Sequence, residues 1–359
     1  MKILYVLDKP NLYGSERHVQ KLIACFSKTH SIQLLTFQHG PLLHEVSEDK
    51  LMFSFSWVDL LNINKWYKLA RTIKSSQIQL IHAHQPKAIF VMSLLGCLLN
   101  IKTIITIHSL PLTNAQSHQN KVRSSFVWLG HRVIKFLSEF FASRIIYLSQ
   151  FSKKTTFFPH KSDVIPNWIS NEVNIRARKS FTCGSKIRFI TVGTVSYNKG
   201  FDRLLDVLST YSNKNWELHV VGSIEPSFQP KLDRMLSKFD LKSQLIFHGF
   251  QNEVSSYFKA SDIFIMLSRA ETFGMVYIEA MSYGLPIIAW DIPVLQEILP
   301  EGNIILKSNT DLDLGLENLI SRPHNFNLVS QTNLNFVHDH FQEKPIITTY
   351  QKLYNQFIK

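Results

Sequence analysis

Cysteine is scarce in this chain of 359 residues, which contains only Cys25, Cys97 and Cys183. The three are widely separated, no Cys-x-x-Cys spacing occurs, and an odd number of thiols cannot pair completely. This pattern argues against a disulfide framework and against a zinc site. The reducing cytoplasm is the compartment that fits such cysteine usage.

Long apolar runs are also lacking. The longest, from Ala88 to Leu99, is shorter than the ~20 residues that span a bilayer. The opening run from Met1 to Leu7 stops at Asp8 and Lys9, which makes it too short for the apolar core of a signal peptide. We therefore predict no transmembrane segment, and we interpret residues 1–7 as a first buried strand.

Acidic residues are few in the first half of the chain. Residues 1–172 contain 20 Lys and Arg against 9 Asp and Glu, a net charge of +11, whereas the remainder contains 19 against 18. A domain with this basic excess usually meets an anionic partner, such as phospholipid, a lipid diphosphate or nucleic acid. No module rich in Lys, Arg and aromatic residues is visible, so we do not expect nucleic-acid binding.

Apolar residues make up 45% of the chain, enough to fill two α/β domains. Apolar segments alternate with amphipathic ones, the pattern of parallel sheets with crossover helices. The polar stretch 170–186 predicts a linker, which divides the chain into doubly wound domains at 1–172 and 173–340 and a terminal helix at 341–359. The predicted strands are 2–7, 32–37, 53–58, 79–82, 103–107 and 144–148, then 187–192, 217–221, 244–247, 263–266 and 285–289.

The most informative segment is Ser268 to Met281, where Glu271 and Glu279 flank a Phe-Gly turn. An apolar strand precedes it and helical spacing follows, so the turn predicts a strand-to-helix loop. The free backbone amides at the helix start attract phosphate, and both carboxylates could accept hydrogen bonds from sugar hydroxyls. An isolated pair of this spacing is also typical of solvated helix-surface residues.

Histidines end two predicted strands of the first half. His82 and His84 end the fourth strand and His108 ends the fifth, at the edge where open α/β sheets bind ligands. A lone histidine in this position is more often structural. We do not expect metal ligation by His82 and His84, because no carboxylate cluster accompanies them.

Lys199 follows the first strand of the second half, and its flexible ammonium suits a departing diphosphate. In order along the chain, these elements resemble family 4 of the retaining glycosyltransferases, from Gly14 to Glu297. The chain departs from the family pattern at Tyr13 and Trp168, where glycine is usual. It also has Thr194 where the family has an arginine after Gly193, and Arg269 is the candidate to supply that charge.

The resemblance implies two Rossmann-like domains facing a cleft, the GT-B architecture, with the last helix returning to the first domain. It also implies a metal-independent hexosyltransferase without a cofactor, which uses a UDP- or GDP-sugar. Lys199 and the backbone amides would hold the diphosphate, Glu279 the ribose and Glu271 the sugar, with His108 near the reacting centre. The implied catalytic residues are His108 and Glu271, and the implied donor-binding residues are Gly14, Lys199, Arg269, Phe273, Gly274, Met275, Val276 and Glu279.

The basic first domain favours a lipid-linked saccharide acceptor, as in capsule or O-antigen assembly, on the inner face of the cytoplasmic membrane. Residues 121–154 carry one apolar helical stripe and seven cations, which we interpret as an outer face attracted to anionic lipid. Core packing would explain the stripe equally well. A nucleotide-sugar epimerase of similar fold, or a weakly active partner subunit made possible by Tyr13 and Thr194, remains an alternative.

Overall fold

The computed structural model describes residues 1–46, 49–109, 121–169, 185–213, 215–308, 311–320 and 323–357, with side chains omitted at 121–128 and 323. The chain forms two compact units. Unit 1 combines Met1–Asn167 with Glu343–Lys359, and unit 2 is Trp168–Gln342. Among the described residues, no helix has both the length and the apolarity that a membrane span requires.

Unit 1 is built on a parallel sheet of seven strands in the order β3-β2-β1-β4-β5-β6-β7. The strands are β1 Lys2–Leu7, β2 Ser31–Thr36, β3 Asp49–Met52, β4 Leu80–His84, β5 Lys102–Ile107, β6 Arg144–Tyr147 and β7 Ser162–Val164. The helices are α1 Gly14–Phe26, α2 Leu42–Glu45, α3 Ile63–Ser75, α4 Pro86–Leu99, α5 Lys121–Phe141 and α6 Gln150–Lys153, with 3-10 turns at Trp57–Leu61 and Pro159–Lys161.

Unit 2 is built on a parallel sheet of six strands in the order β10-β9-β8-β11-β12-β13. The strands are β8 Ile187–Val192, β9 Trp216–Val221, β10 Leu245–Gly249, β11 Ile263–Met266, β12 Ile287–Trp290 and β13 Ile304–Leu306. The helices are α7 Phe201–Thr210, α8 Gln229–Phe239, α9 Ser255–Ala260, α10 Met275–Ser282, α11 Pro293–Ile298, α12 Asp311–Ile320 and α13 Pro323–His340.

The terminal helix α14, Glu343–Asn355, belongs to unit 1. Its predicted apolar stripe is buried at Ile346, Tyr350, Leu353 and Tyr354. The Tyr354 hydroxyl lies 3.1 Å from the hydroxyl of Tyr5 on β1, so the helix closes over the first strand of the chain. Two doubly wound domains of alternating strands and helices are therefore confirmed.

In each sheet the strand order reverses once, between β1 and β4 and between β8 and β11. Ligands of open α/β sheets bind beside the carboxyl ends of the strands at such a reversal. The loops that follow β1, β4, β8 and β11 are therefore the first places to look for a site.

Some predicted strand positions are wrong. The third strand is Asp49–Met52 rather than 53–58, because the Asp59 carboxylate accepts hydrogen bonds from the Ser56 amide at 2.8 Å and hydroxyl at 2.6 Å and caps a 3-10 turn. The edge strands β7 and β13, of three residues each, were not predicted. Most of the predicted linker, 170–184, lies outside the described residues.

Candidate active site

Two loops of unit 2 meet at the reversal between β8 and β11. The Nζ of Lys199, in the loop before α7, lies 2.7 Å from Oε1 of Glu271, in the loop before α10. The same carboxylate oxygen accepts a hydrogen bond of 2.8 Å from the hydroxyl of Ser268. Two residues that stand 72 positions apart in the chain therefore form one charged pair, as the strand order requires.

Gly200 makes this meeting of the loops possible. Its φ is +66°, and a Cβ at this position would lie 1.8 Å from the carbonyl oxygen of Leu267. Only glycine allows both the left-handed conformation and the contact between backbones. The residue beside Lys199 therefore fixes the distance between the two loops.

The donor loop predicted from the sequence ends as expected at the start of α10. Gly274 has a φ of +88° and is followed by the helix, in which the Tyr277 amide donates to the Gly274 carbonyl at 3.1 Å and the amides before it have no acceptor in the preceding turn. The hydroxyl of Tyr277 donates to the carbonyl of Met266 at 2.9 Å and ties the helix to β11. Met275 and Val276 thus present their amides from a fixed helix end, which is an anion-binding arrangement.

Two other predicted donor residues differ in burial. Phe273 is buried, and its ring packs edge-on against Phe341 at 5.7 Å between ring centres, so the side chain anchors the loop in the core. Glu279 is half-buried and lies just beyond the first turn of α10.

Arg269 is already paired within unit 2. Its Nη1 and Nη2 lie 2.7 and 2.9 Å from the carboxylate oxygens of Asp202, and its guanidinium stacks 3.6 Å above the ring of Tyr197. Burial raises the pKa of Asp202, but hydrogen bonds from Arg269 and Lys231 outweigh it and leave the pKa below its ordinary value. The charge that Arg269 was expected to offer in place of an arginine at Thr194 is therefore compensated.

In unit 1, the predicted His108 belongs to a buried group of imidazoles. Its Nε2 lies 2.9 Å from Nδ1 of His84. Burial lowers the pKa of His108 to about 3 and that of His82 to about 3, the second with help from the nearby His108. The rings are therefore neutral near pH 7, so His108 acts there as a neutral hydrogen-bonding group.

The remaining histidines of the group are held by tyrosines from α14. His82 contacts the Tyr354 hydroxyl at 2.6 Å through Nδ1 and Thr106 at 2.8 Å through Nε2. His18 of α1 lies 2.5 Å from Oδ1 of Asn167 and 3.2 Å from the hydroxyl of Tyr350. Sequence analysis did not select His18, because a histidine inside an amphipathic helix gives no local signal.

A pocket of about 470 Å³, part of it open to solvent, adjoins His108 within unit 1. Gln85 at the start of α4 lines it together with the apolar side chains of Ile89, Ile107 and Ile134. The pocket therefore combines a polar imidazole with an apolar wall.

Gly14, which the sequence predicted as a donor-binding residue, does not line this pocket. It lies at the start of α1, is exposed, and has no atom within 4 Å of the position that a Cβ would take.

Helix α5 carries its apolar stripe on the outside. Leu129, Val133, Phe136 and Phe140 are 42–55% exposed. Lys135, which the sequence suggested as an outer cation, is instead buried and pairs with Glu139 at 2.5 Å. The explanation of the stripe by core packing is therefore wrong for these four residues, and the assignment of Lys135 to the outer face is wrong because its partner Glu139 is fully buried.

Both halves of the chain are similar to known glycosyltransferases. Residues 13–173 match the family model "Glycosyltransferase Family 4", and residues 175–328 match "Glycosyl transferases group 1". An uncharacterized glycosyltransferase of Haemophilus influenzae is 26% identical over 86% of this chain and 85% of its own. The O-antigen biosynthesis glycosyltransferase WclY of Escherichia coli is 23% identical over 100% of this chain and 99% of its own.

Among solved structures, Anabaena Alr3699/HepE in complex with UDP and glucose is similar at a TM-score of 0.80, with 19% identity over 99% of each chain. This likeness confirms the predicted GT-B fold class. With the family models, it makes the chain a homologue of glycosyltransferases.

Proposed function

We propose that this homologue of GT-B glycosyltransferases is a retaining family 4 enzyme that transfers a hexose from a nucleoside-diphosphate sugar to a saccharide acceptor. The observation that carries the proposal is the Lys199–Glu271 pair in front of the α10 N-terminus, at the strand-order reversal of unit 2. A cation, a carboxylate and free amides are the groups that a sugar diphosphate requires at one place.

The donor is activated before it binds, so the protein has to stabilise the charge that develops on the departing diphosphate. Lys199 and the amides of Gly274, Met275 and Val276 supply that stabilisation without a metal ion or a cofactor. Glu279 accepts hydrogen bonds from the ribose, and Glu271 from the sugar hydroxyls. The acceptor hydroxyl attacks from the face that the diphosphate leaves, and the phosphate takes its proton.

We assign the acceptor to unit 1, in the pocket beside His108. The neutral imidazole orients a sugar hydroxyl by hydrogen bonding, while Ile89, Ile107 and Ile134 cover an apolar part of the acceptor. A lipid-linked saccharide has both features. The name of the relative WclY, an O-antigen biosynthesis enzyme, supports cell-envelope polysaccharide assembly as the context.

The exposed stripe of α5 supports contact with a membrane. Four large apolar side chains on one helical face expose more area than solvation alone favours, and the exposed cations Arg132 and Lys154 accompany them. An anionic leaflet attracts each such cation by about 1 kcal/mol. We therefore place the enzyme peripherally on the inner face of the cytoplasmic membrane, beside its lipid-linked acceptor.

The donor assignment is tested by thermal unfolding with UDP and with GDP. One of them should raise Tm, because a ligand that binds the folded state stabilises it by mass action. Lys199→Met should reduce that shift, while Lys242→Met, which changes an exposed lysine of unit 2, should not. No shift with either nucleotide would contradict the assignment, and sugar release without any acceptor would favour the epimerase.

The membrane assignment is tested by sedimentation with vesicles that contain increasing fractions of phosphatidylglycerol. Binding should rise with anionic lipid, fall with salt, and weaken when Arg132→Glu is combined with Lys154→Glu. The matched control combines Lys68→Glu with Lys74→Glu, which removes two exposed cations of α3. Equal loss in both double variants would mean that binding depends on the overall positive charge rather than on α5. No binding by the unmodified protein at low salt would point to a soluble acceptor.

A further inference from the structure

Three histidines of unit 1 come together from three separate elements. His18 lies on α1, His84 ends β4 and His108 follows β5. Each offers one ring nitrogen, and the three nitrogens lie within 4.8 Å of one another. Histidine nitrogen is a ligand of zinc and its neighbours in the transition series.

The spacing of the three rings matches a shared metal ion. The distances between ring centres are 5.6 Å for His18 and His84, 5.0 Å for His18 and His108, and 5.2 Å for His84 and His108. Zn–N bonds of 2.0–2.1 Å in tetrahedral geometry place imidazole centres roughly 5.2 Å apart. The ring centres are therefore already separated as three imidazoles on one tetrahedral metal ion would be.

The donor chemistry also fits. Nε2 of His84 is buried and makes no hydrogen bond, and such an orphaned nitrogen is costly unless a ligand satisfies it. Burial lowers the pKa of His84 and of His18 well below the ordinary value, and nearby histidines lower both further. A metal bound at this site would be held by the neutral form of each imidazole, as at other histidine sites.

Outer contacts hold the first of these rings in place. Asn167 Oδ1 lies 2.5 Å from Nδ1 of His18 and fixes its orientation, as second-shell groups do for metal ligands. Nε2 of His18 also lies 3.2 Å from the Tyr350 hydroxyl, and a metal bound through this nitrogen would replace that contact. His82, the fourth histidine of the group, is not one of the three whose nitrogens lie within 4.8 Å of one another, and it packs beside them with contacts to Tyr354 and Thr106.

We propose that His18, His84 and His108 form a binding site for a divalent transition metal of the zinc class, and that the bound metal inhibits sugar transfer by withdrawing His108 from the acceptor. The inhibitory part rests on the proposed function, and the metal site does not. Three neutral imidazoles favour Zn²⁺ or Co²⁺ over Mg²⁺ and Ca²⁺, which prefer oxygen ligands. The sequence reasoning against a metal considered only His82 and His84 and lacked His18.

The site is tested on tag-free, chelator-treated full-length protein. Titrated Co²⁺ should produce visible absorption of tetrahedral intensity with one ion per chain, and Zn²⁺ should displace it, whereas Mg²⁺ should not. His18→Asn and His84→Gln should each weaken Zn²⁺ binding by at least about 100-fold, since even a second-shell change costs 10–100-fold. His160→Asn, at an exposed position of unit 1, should leave binding unchanged.

Circular dichroism establishes that each variant is folded. Because His18 and His84 lie on different elements, a folding defect in one variant would leave the other available as a test. Wild-type affinity equal to that of both ligand variants would overturn the site. Zn²⁺ should also lower the transfer rate of the unmodified enzyme, and EDTA should restore it. In the His18→Asn variant, the ratio of the rate without Zn²⁺ to the rate with Zn²⁺ should fall most of the way to one. Metal binding without any change in rate would overturn the inhibitory role. The Co²⁺ measurement needs no sugar donor, so failure of the proposed function would leave its result intact.

Discussion

The Lys199–Glu271 pair is the central contact of the proposed donor site. Before a donor binds, the carboxylate neutralises the ammonium at 2.7 Å, and both side chains are partly shielded from water. A diphosphate competes with Glu271 for Lys199, because it is also an anion. Under the proposed function, donor binding would release the Glu271 carboxylate toward the sugar, so Lys199 and Glu271 have different expected effects when changed.

Substitutions of Glu271 and Glu279 should have different effects on donor binding and on turnover. Glu271→Gln keeps an acceptor for Ser268 but frees Lys199 for the diphosphate, so we expect a lower kcat with little loss of donor affinity. Glu279→Gln should weaken donor binding by about 1.5–3 kcal/mol, the contribution of a charge-assisted hydrogen bond. Calorimetry and initial rates measure both, with the exposed Glu301→Gln as control. Unchanged kinetics in both variants would mean that neither glutamate contacts the donor.

Thr194 stands where the resembled family has an arginine, which raises the question of how the proposed site balances the charge of a leaving diphosphate. Arg269 is bound to Asp202 by two hydrogen bonds, so it does not supply a free cation. Thr194→Arg should therefore maintain or raise the transfer rate by adding the missing charge. Thr194→Gln, which has similar length without charge, is the control. A sharp fall only with arginine, in a folded protein, would mean that another cation already occupies this space.

At the scale of elements, the contact between the β8–α7 loop and β11 depends on Gly200. Gly200→Ala should destabilise unit 2 through both its φ of +66° and a clash with the Leu267 carbonyl. Gly249 has a φ of +68° but no atom within 4 Å of a Cβ, so Gly249→Ala reports the conformational cost alone, about 1–2 kcal/mol. Urea unfolding should show a larger loss of unfolding free energy for Gly200→Ala than for Gly249→Ala. Equal losses would show that the loops do not need this close approach.

Buried parallel strands were predictable because they leave continuous apolar runs in the sequence. β1, β8 and β11 were located to the residue for this reason. β3 was misplaced because it reads Asp-Lys-Leu-Met at the sheet edge, with little apolar signal. The loop from Ser268 to Gly274 was also located, since a strand and a helix flank it.

Contacts between distant residues could not be predicted in the same way. The pairing of Arg269 with Asp202, the burial of Lys135 and the approach of His18 to His84 depend on tertiary packing. The sequence shows which residues of a helix share an apolar face, but it does not show whether that face packs on a core or is exposed. For α5 the sheet side receives Lys135 and Glu139, and the apolar side is exposed.

At the scale of the whole molecule, the buried histidines make stability depend on pH. The four clustered imidazoles of His18, His82, His84 and His108 have pKa values below the ordinary 6.5 because burial disfavours their charged forms, and those of His82 and His108 are about 3. Below pH 6.5 the unfolded chain binds protons that the folded chain excludes. Stability is therefore complete above about pH 6.5 and is lost as the pH falls toward 3.

Each histidine should contribute up to about 1.36 kcal/mol of unfolding free energy per pH unit in this range. Between pH 6.5 and 5.5 the carboxylates are still ionised in the unfolded chain, so the slope reports histidine. Urea unfolding monitored by hydrogen exchange of peptides from β4 and β5, with EDTA present, measures the unfolding free energy of unit 1 alone. His82→Gln should reduce the slope by up to about 1.36 kcal/mol per pH unit, because it removes one imidazole that excludes a proton in the folded state. His160→Gln, at an exposed position, should not change the slope. A slope that is the same in all three proteins would mean that the folded unit accepts these protons, which would contradict the neutral state of the buried imidazoles.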